Sequence, residues 1–208
     1  MTSTRRRRDL AKMAGGATAV IATGVVASSG EVGPTEARLF HAFNRLPDVP
    51  PAVLWPQQQF GNLAVGPIIV AVAATQRQWH LAAAAATATV LKLGLERAVK
   101  AVIVRERPGT TVPGAVKRGN VPHEGQSFVS GHATLVTALA TVVTPHLARR
   151  WRIVPATAAA VVCVARVYSG AHNPLDIVGG VGLGLVAGGA TNLLLGVPTA
   201  AGGTAPER

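Results

Sequence analysis

The sequence predicts an all-α, multi-pass transmembrane bundle of about six helices, on three observations. Apolar residues (AVILMFWYC) make up 49% of the chain, charged residues only 14%, and the mean hydropathy is +0.34. Soluble domains carry about 25% charged residues, and a bilayer imposes such a deficit because a charge in hydrocarbon is expensive. The apolar residues also fall in runs of near-span length, separated by polar or basic breaks. Finally, Ala, Gly, Val and Leu dominate those runs and aromatics reach only 4%, which suits close-packed membrane helices.

The elements follow in order. Arg5, Arg6, Arg7, Arg8 and Lys12 precede an apolar stretch from Met13 to Ala27. A basic start and a short apolar run fit an uncleaved first helix, the favoured reading, or a secretory signal. Arg7-Arg8-Asp9-Leu10 also has a loose twin-arginine look. Residues 1–30 are therefore read as a basic N-terminus and first membrane helix (or signal-like segment), 31–197 as the membrane core, and 198–208 as a disordered tail. Within the core, Leu39, Phe40, Phe43 and Leu46 recur at helical spacing and predict a short amphipathic helix lying along the interface. A second span runs from about residue 52 to 75, with Trp55 at headgroup level. Gln57, Gln58, Gln59 and Asn62 require its first third to face protein or water. A third run covers about 80–104, and residues 105–131 form the longest polar segment. Three more runs, near 132–147, 153–168 and 175–196, complete the set, with Pro155 tolerated in a first turn. Gly180, Gly184 and Gly188 recur every four residues in the last run, where small side chains let helices approach.

Charge sets the topology. Basic loops stay in the cytoplasm, so the Arg5–Arg8 cluster places the N-terminus inside, and six spans then put Arg77, Arg149, Arg150 and Arg152 inside as well. The 105–131 loop and the turn at Tyr168–Pro174 fall outside, although Lys100, Arg105, Arg107, Lys117, Arg118 and Arg166 make that face basic too. An anionic ligand explains the breach. The net charge of +11 does not point to nucleic acid, because the basic residues lack the aromatic interleaving that stacks bases. Cys163 stands alone and reads as a small buried hydrophobe.

Three clusters carry chemistry. Lys100 precedes Arg107-Pro108, Ser130-Gly131-His132 opens the fourth run, and Arg166 is followed by His172 and Asp176. The topology places all three at one membrane face. Three cations there can surround a phosphate, and arginine forks match its oxygens. Free N–H groups at the start of the fourth helix can donate to an anion, with Gly131 allowing close approach. Asp176, one helical turn beyond His172, can fix the imidazole tautomer and stabilise its cationic form. A His–Asp pair beside cations is equipment for nucleophilic attack on phosphorus, leaving His132 to protonate the leaving oxygen. Glu96, Glu106 and Glu124, the other acids near this face, lack ligand spacing, and the cations would repel a divalent ion. No metal and no cofactor are expected. His41, His80, His123 and His146 read as structural, Lys92 and Glu96 as a pair inside the bundle, and Lys117 and Arg118 as solvated.

These clusters resemble the signature of the type 2 phosphatidic acid phosphatase superfamily: Lys-x6-Arg-Pro, Pro-Ser-Gly-His and Ser-Arg-x5-His-x3-Asp. The resemblance covers about residues 37–196. It implies a six-helix membrane bundle that hydrolyses a lipid phosphate or diphosphate through a phosphohistidine, without metal. Lys100, Arg107, Ser130, Gly131 and Arg166 would bind phosphate, His132 would be the general acid, His172 the nucleophile and Asp176 its partner, with Arg105 adding positive field. Val129 stands where the family has proline and Ala165 where it has serine. A polyprenyl diphosphate, a polyprenyl-phosphoryl sugar phosphate, phosphatidate and phosphatidylglycerophosphate are the candidate substrates. The expected location is the cell membrane, with the catalytic face extracytoplasmic, which favours carrier lipids of the envelope. Vanadium haloperoxidases share the pocket but are larger and lack spans. The remaining alternative is a non-catalytic lipid-binding or transport protein with a vestigial phosphate site.

Overall fold

A computed structural model describes residues 3–197; the tail expected at 198–208 lies outside the described residues. Nine α-helices are described: α1 (Ser3–Ala27), α2 (Pro34–Asn44), α3 (Pro51–Phe60), α4 (Val65–Thr75), α5 (Trp79–Val102), α6 (Pro108–Thr111), α7 (Gly131–Val143), α8 (Ile153–Tyr168) and α9 (Pro174–Leu195). Among these residues the β-structure is a single isolated bridge between Glu106 and Gln126.

This is an all-helical membrane protein. α1, α9 and the stretch Arg149–Tyr168 containing α8 are long and apolar enough to cross a bilayer. α3 and α4 qualify only together, as a pair bent by 71° at the break. The apolar run expected over 52–75 is therefore broken, and its polar first part becomes the separate α3. α5 has the length, at 24 residues, but carries Lys92, Glu96, Arg97 and Lys100. α7, at 13 residues, is only about 20 Å long, short of the roughly 30 Å hydrocarbon core. Each of the six apolar runs is helical, yet among the described residues three are long and apolar enough to cross a bilayer alone, and a fourth only if the bent α3–α4 pair acts as one span.

Glycine lets α9 serve as the central post. A Cβ on Gly180 would lie 2.7 Å from the Ser130 carbonyl oxygen, one on Gly184 2.6 Å from that of Thr134, and one on Gly188 2.6 Å from Thr141 Cβ. The four-residue glycine stripe thus packs α9 onto α7, backbone against backbone. A second stripe faces α1, where a Cβ on Gly182 would lie 2.6 Å from the Gly16 carbonyl oxygen and one on Gly189 2.6 Å from Met13 Cγ. α1 begins at the basic residues themselves and runs antiparallel to α9, ending with Gly24 beside Phe128.

The amphipathic α2 closes one end of the bundle. Phe40 is fully buried among Val112, Ala133, Cys163, Val167 and Ile177, while Leu39 stays half exposed. Asn44 ties α2 to the loop before α7: its amide donates to the Val116 and Tyr168 carbonyls at 2.8 and 2.9 Å and accepts the Val116 N–H at 2.8 Å.

Candidate active site

The end of α8 fixes the spacing between Arg166 and His172. Gly170 has φ +74°, its N–H donates to the Val167 carbonyl at 3.0 Å, and the Ala171 N–H donates to the Arg166 carbonyl at 3.0 Å. These are the two bonds of a Schellman cap, which favours glycine at the turn. A Cβ there would also lie 2.5 Å from the Val116 carbonyl oxygen. The turn folds the chain back so that the His172 N–H reaches the same Arg166 carbonyl at 3.4 Å. Pro174 then starts α9, and Asp176 in its first turn accepts the Asn173 N–H at 2.8 Å.

His172 is 3% exposed and Asp176 fully buried. Their facing atoms, Nδ1 and Oδ2, are 3.9 Å apart, beyond hydrogen-bonding distance. Ser127 fills the gap: its Oγ donates to Asp176 Oδ2 at 2.5 Å and lies 3.3 Å from His172 Nδ1. Arg105 holds the other carboxylate oxygen, Nη1 to Oδ1 at 3.0 Å, and forks onto Glu36 of α2 at 3.0 and 2.5 Å. Glu36 in turn accepts the Leu175 N–H at 3.0 Å. Burial alone would lower the Arg105 pKa, but Glu36 and Asp176 outweigh it and raise it. Arg105 is thus neutralised by two carboxylates rather than supplying open positive field.

Two cations remain uncompensated. Arg107 donates to the Ala171 carbonyl at 2.7 Å, but its Nε is buried without an acceptor, and the same is true of Arg166 Nε. Neither makes an ion pair among the described residues, although Arg166 is only 4% exposed. Burial lowers the Arg107 pKa, against the pull of Asp176. Burial, with Arg166 and Arg107 nearby, also brings His172 down to about 4 despite Asp176. The imidazole is therefore neutral at pH 7.

His132 shares a cavity of about 720 Å³ with Arg166, Gln58, Asn62 and Lys117. Its ring packs on the break between α3 and α4, where a Cβ on Gly61 would come within 2.5 Å of Cδ2. The structure thus gathers His132, Arg166, Arg107, His172 and Asp176 at one end of the bundle. Two other expected anion ligands, Lys100 and Ser130, are engaged elsewhere. Lys100 Nζ binds Glu96 at 2.6 Å, and Lys92 binds the same carboxylate at 2.5 Å. Glu96 also lies against the α7 N-terminus, 2.6 Å from a Cβ placed on Gly131. Ser130 caps α7 by accepting the Ala133 N–H at 3.5 Å, and its own N–H donates to the Asp176 carbonyl at 3.0 Å.

A family model described as the PAP2 superfamily matches residues 78–197, which contain all three clusters. The chain belongs to the PAP2 superfamily. Its fold is similar to that of LpxE from Aquifex aeolicus, at TM-score 0.66 and 20% identity, over 74% of this chain and 92% of that one. It is also similar to a transmembrane PAP2-type phosphatidylglycerolphosphate phosphatase from Bacillus subtilis, at TM-score 0.64 and 19% identity, over 86% of this chain and 95% of that one. No curated protein matches the sequence.

In this PAP2 protein, Ser127 and Glu36 were not legible as site residues. Glu36 is far away in sequence, and Ser127 is one serine in a polar loop. Arg105 did leave a signal. Residues two apart in an extended segment share a side, and Arg105 and Arg107 flank Glu106, whose backbone bridges to Gln126.

Proposed function

We propose that the chain hydrolyses a lipid phosphate or diphosphate through a phosphohistidine on His172, without a metal. The observation that carries this is the pair of guanidiniums without an ion-pair partner among the described residues, Arg166 buried and Arg107 half-buried with its Nε enclosed, beside a neutral imidazole. A buried charge without a partner costs several kcal/mol, so these two groups are built for an anion that arrives from outside. Arginine forks suit phosphate oxygens. With Nδ1 turned toward Ser127 and Asp176, Nε2 of His172 keeps its lone pair for attack on phosphorus. As the P–N bond forms, the imidazole becomes cationic, and Asp176 stabilises it. His132 donates a proton to the leaving oxygen, then takes one from the water that releases phosphate. Arg107, Arg166 and the N–H groups of Gly131 and His132 stabilise the equatorial oxygens. Lys100 joins them when phosphate replaces Glu96 as its partner.

Two adjoining cavities support a lipid substrate. The polar one holds His132 and Arg166, and a second, apolar groove of about 620 Å³ runs between α3 and α8 along Val53, Leu54, Val161 and Val164. They share Asp48, Val49 and Leu54, so a headgroup can occupy one while its tail lies in the other. The basic residues at the opposite end of the bundle support a catalytic face outside the cytoplasm, and that orientation favours carrier lipids of the envelope.

The test is phosphate release by purified protein on a panel of lipid phosphates and diphosphates, with and without chelator. Wild type should turn over in both conditions, while His172→Ala loses turnover and stays folded in detergent. Full activity in that variant would refute the nucleophile. A wild-type chain that binds these lipids without releasing phosphate would mark a vestigial site.

A further inference from the structure

The end of the bundle opposite His172 carries a second cationic cleft. α1 starts beside the end of α9, where Asn192 Nδ2 donates to Asp9 Oδ1 at 3.2 Å. Arg5, Arg8 and Lys12 therefore lie a helix length from the catalytic residues. With Arg152, from the turn before α8, they line a cavity of about 210 Å³. Among the described residues Asp9 is the one acid in its wall, and it is already engaged, by Lys12 at 3.0 Å and by Asn192. Arg152 donates Nε to the Leu147 carbonyl at 3.1 Å, and its remaining guanidinium nitrogens meet no carboxylate among the described residues. Among the described residues, Arg8, Lys12 and Arg152, from two separate segments, thus face the single carboxylate of Asp9.

An apolar groove continues from this cleft. It has a volume of about 460 Å³, shares Lys12, Thr144, Pro145 and Arg152 with the basic cavity, and runs over Ala156, Ala160, Val181 and Leu185 between α8 and α9. A soluble anion would use only the basic part, and a zwitterionic headgroup would add a cation to a site already rich in them. We propose that the cleft binds an anionic phospholipid of the leaflet opposite the catalytic face. Its phosphate sits among Arg8, Lys12 and Arg152, and an acyl chain lies along the α8–α9 groove. The bound lipid ties α1 to the turn before α8 and shares no residue with the catalytic site, so the inference stands apart from the proposed reaction.

Delipidated full-length protein in detergent, titrated with phosphatidylglycerol, phosphatidylcholine or inorganic phosphate and read by native mass spectrometry, tests this. One phosphatidylglycerol should bind preferentially and survive Arg166→Gln, which separates it from lipid in the catalytic cavity. The exposed pair Arg8→Gln/Arg152→Gln should weaken it by roughly thirtyfold, at about fivefold per basic side chain near an anionic lipid surface. Ala156→Trp should weaken the lipid but not inorganic phosphate, with the thermal midpoint reporting that the variant is folded. Equal binding of phosphatidylcholine, or unchanged binding in the double variant, overturns the proposal. Phosphate binding as tight as the lipid's, indifferent to Ala156→Trp, overturns it in favour of a bare anion site.

Discussion

Replacing Ser127 by alanine isolates the link between the two residues on which the proposed reaction turns. Among the described residues, Ser127 Oγ is the one side-chain oxygen that touches both His172 Nδ1, at 3.3 Å, and Asp176 Oδ2, at 2.5 Å. Without it, the buried imidazole faces a carboxylate 3.9 Å away and has no hydrogen-bond partner for Nδ1. A hydrogen bond to a charged group contributes roughly 1.5–3 kcal/mol. His172 is charged only after it takes up the phosphoryl group, so most of that loss falls on the transition state. About 2 kcal/mol corresponds to a roughly thirtyfold fall in kcat, with KM nearly unchanged because Ser127 does not face the phosphate. Steady-state phosphate release on a lipid phosphate in detergent micelles measures both constants. Ser127→Thr, which keeps the hydroxyl, should recover part of the loss. A Ser127→Ala enzyme with wild-type kcat would show that Asp176 reaches His172 without the serine, and the reasoning would fail.

Other perturbations have equally defined outcomes. Gly61→Ala should push the His132 ring out of place, because the new Cβ would lie 2.5 Å from Cδ2. A displacement near 1 Å costs on the order of a hundredfold in rate, and an active, folded variant would remove His132 from the mechanism. Arg105→Gln strands the buried carboxylates of Glu36 and Asp176. Breaking such a pair costs about 3–5 kcal/mol, so denaturant unfolding in detergent should show a large loss of stability, and an unchanged midpoint would contradict the burial. The His172 pKa, held at about 4 against an ordinary 6.5, gives a signed pH dependence. Its folded value is depressed, so its contribution to stability is fully present above 6.5 and declines as pH falls toward about 4. The slope should flatten at low pH in His172→Gln, and an identical slope there would assign the effect to another group.

The apolar runs, the basic start and the three clusters were enough, by themselves, to place a helical membrane chain in the PAP2 superfamily. Composition and spacing are local properties, and a motif such as Arg166-x5-His172 records a local event, the glycine-capped turn at Gly170. Lys92 and Glu96 were legible as a pair for the same reason, being one helical turn apart. The tertiary structure alone decided the rest. It brought Glu36 of α2 to Arg105 and Asp176, set Ser127 between histidine and aspartate, bent the second apolar run at Gly61 against His132, and showed Lys100 held by Glu96. Such partners are chosen by which helices pack together. That depends on backbone approach at Gly180, Gly184 and Gly188, and no spacing along the chain encodes the distance between side chains on different helices.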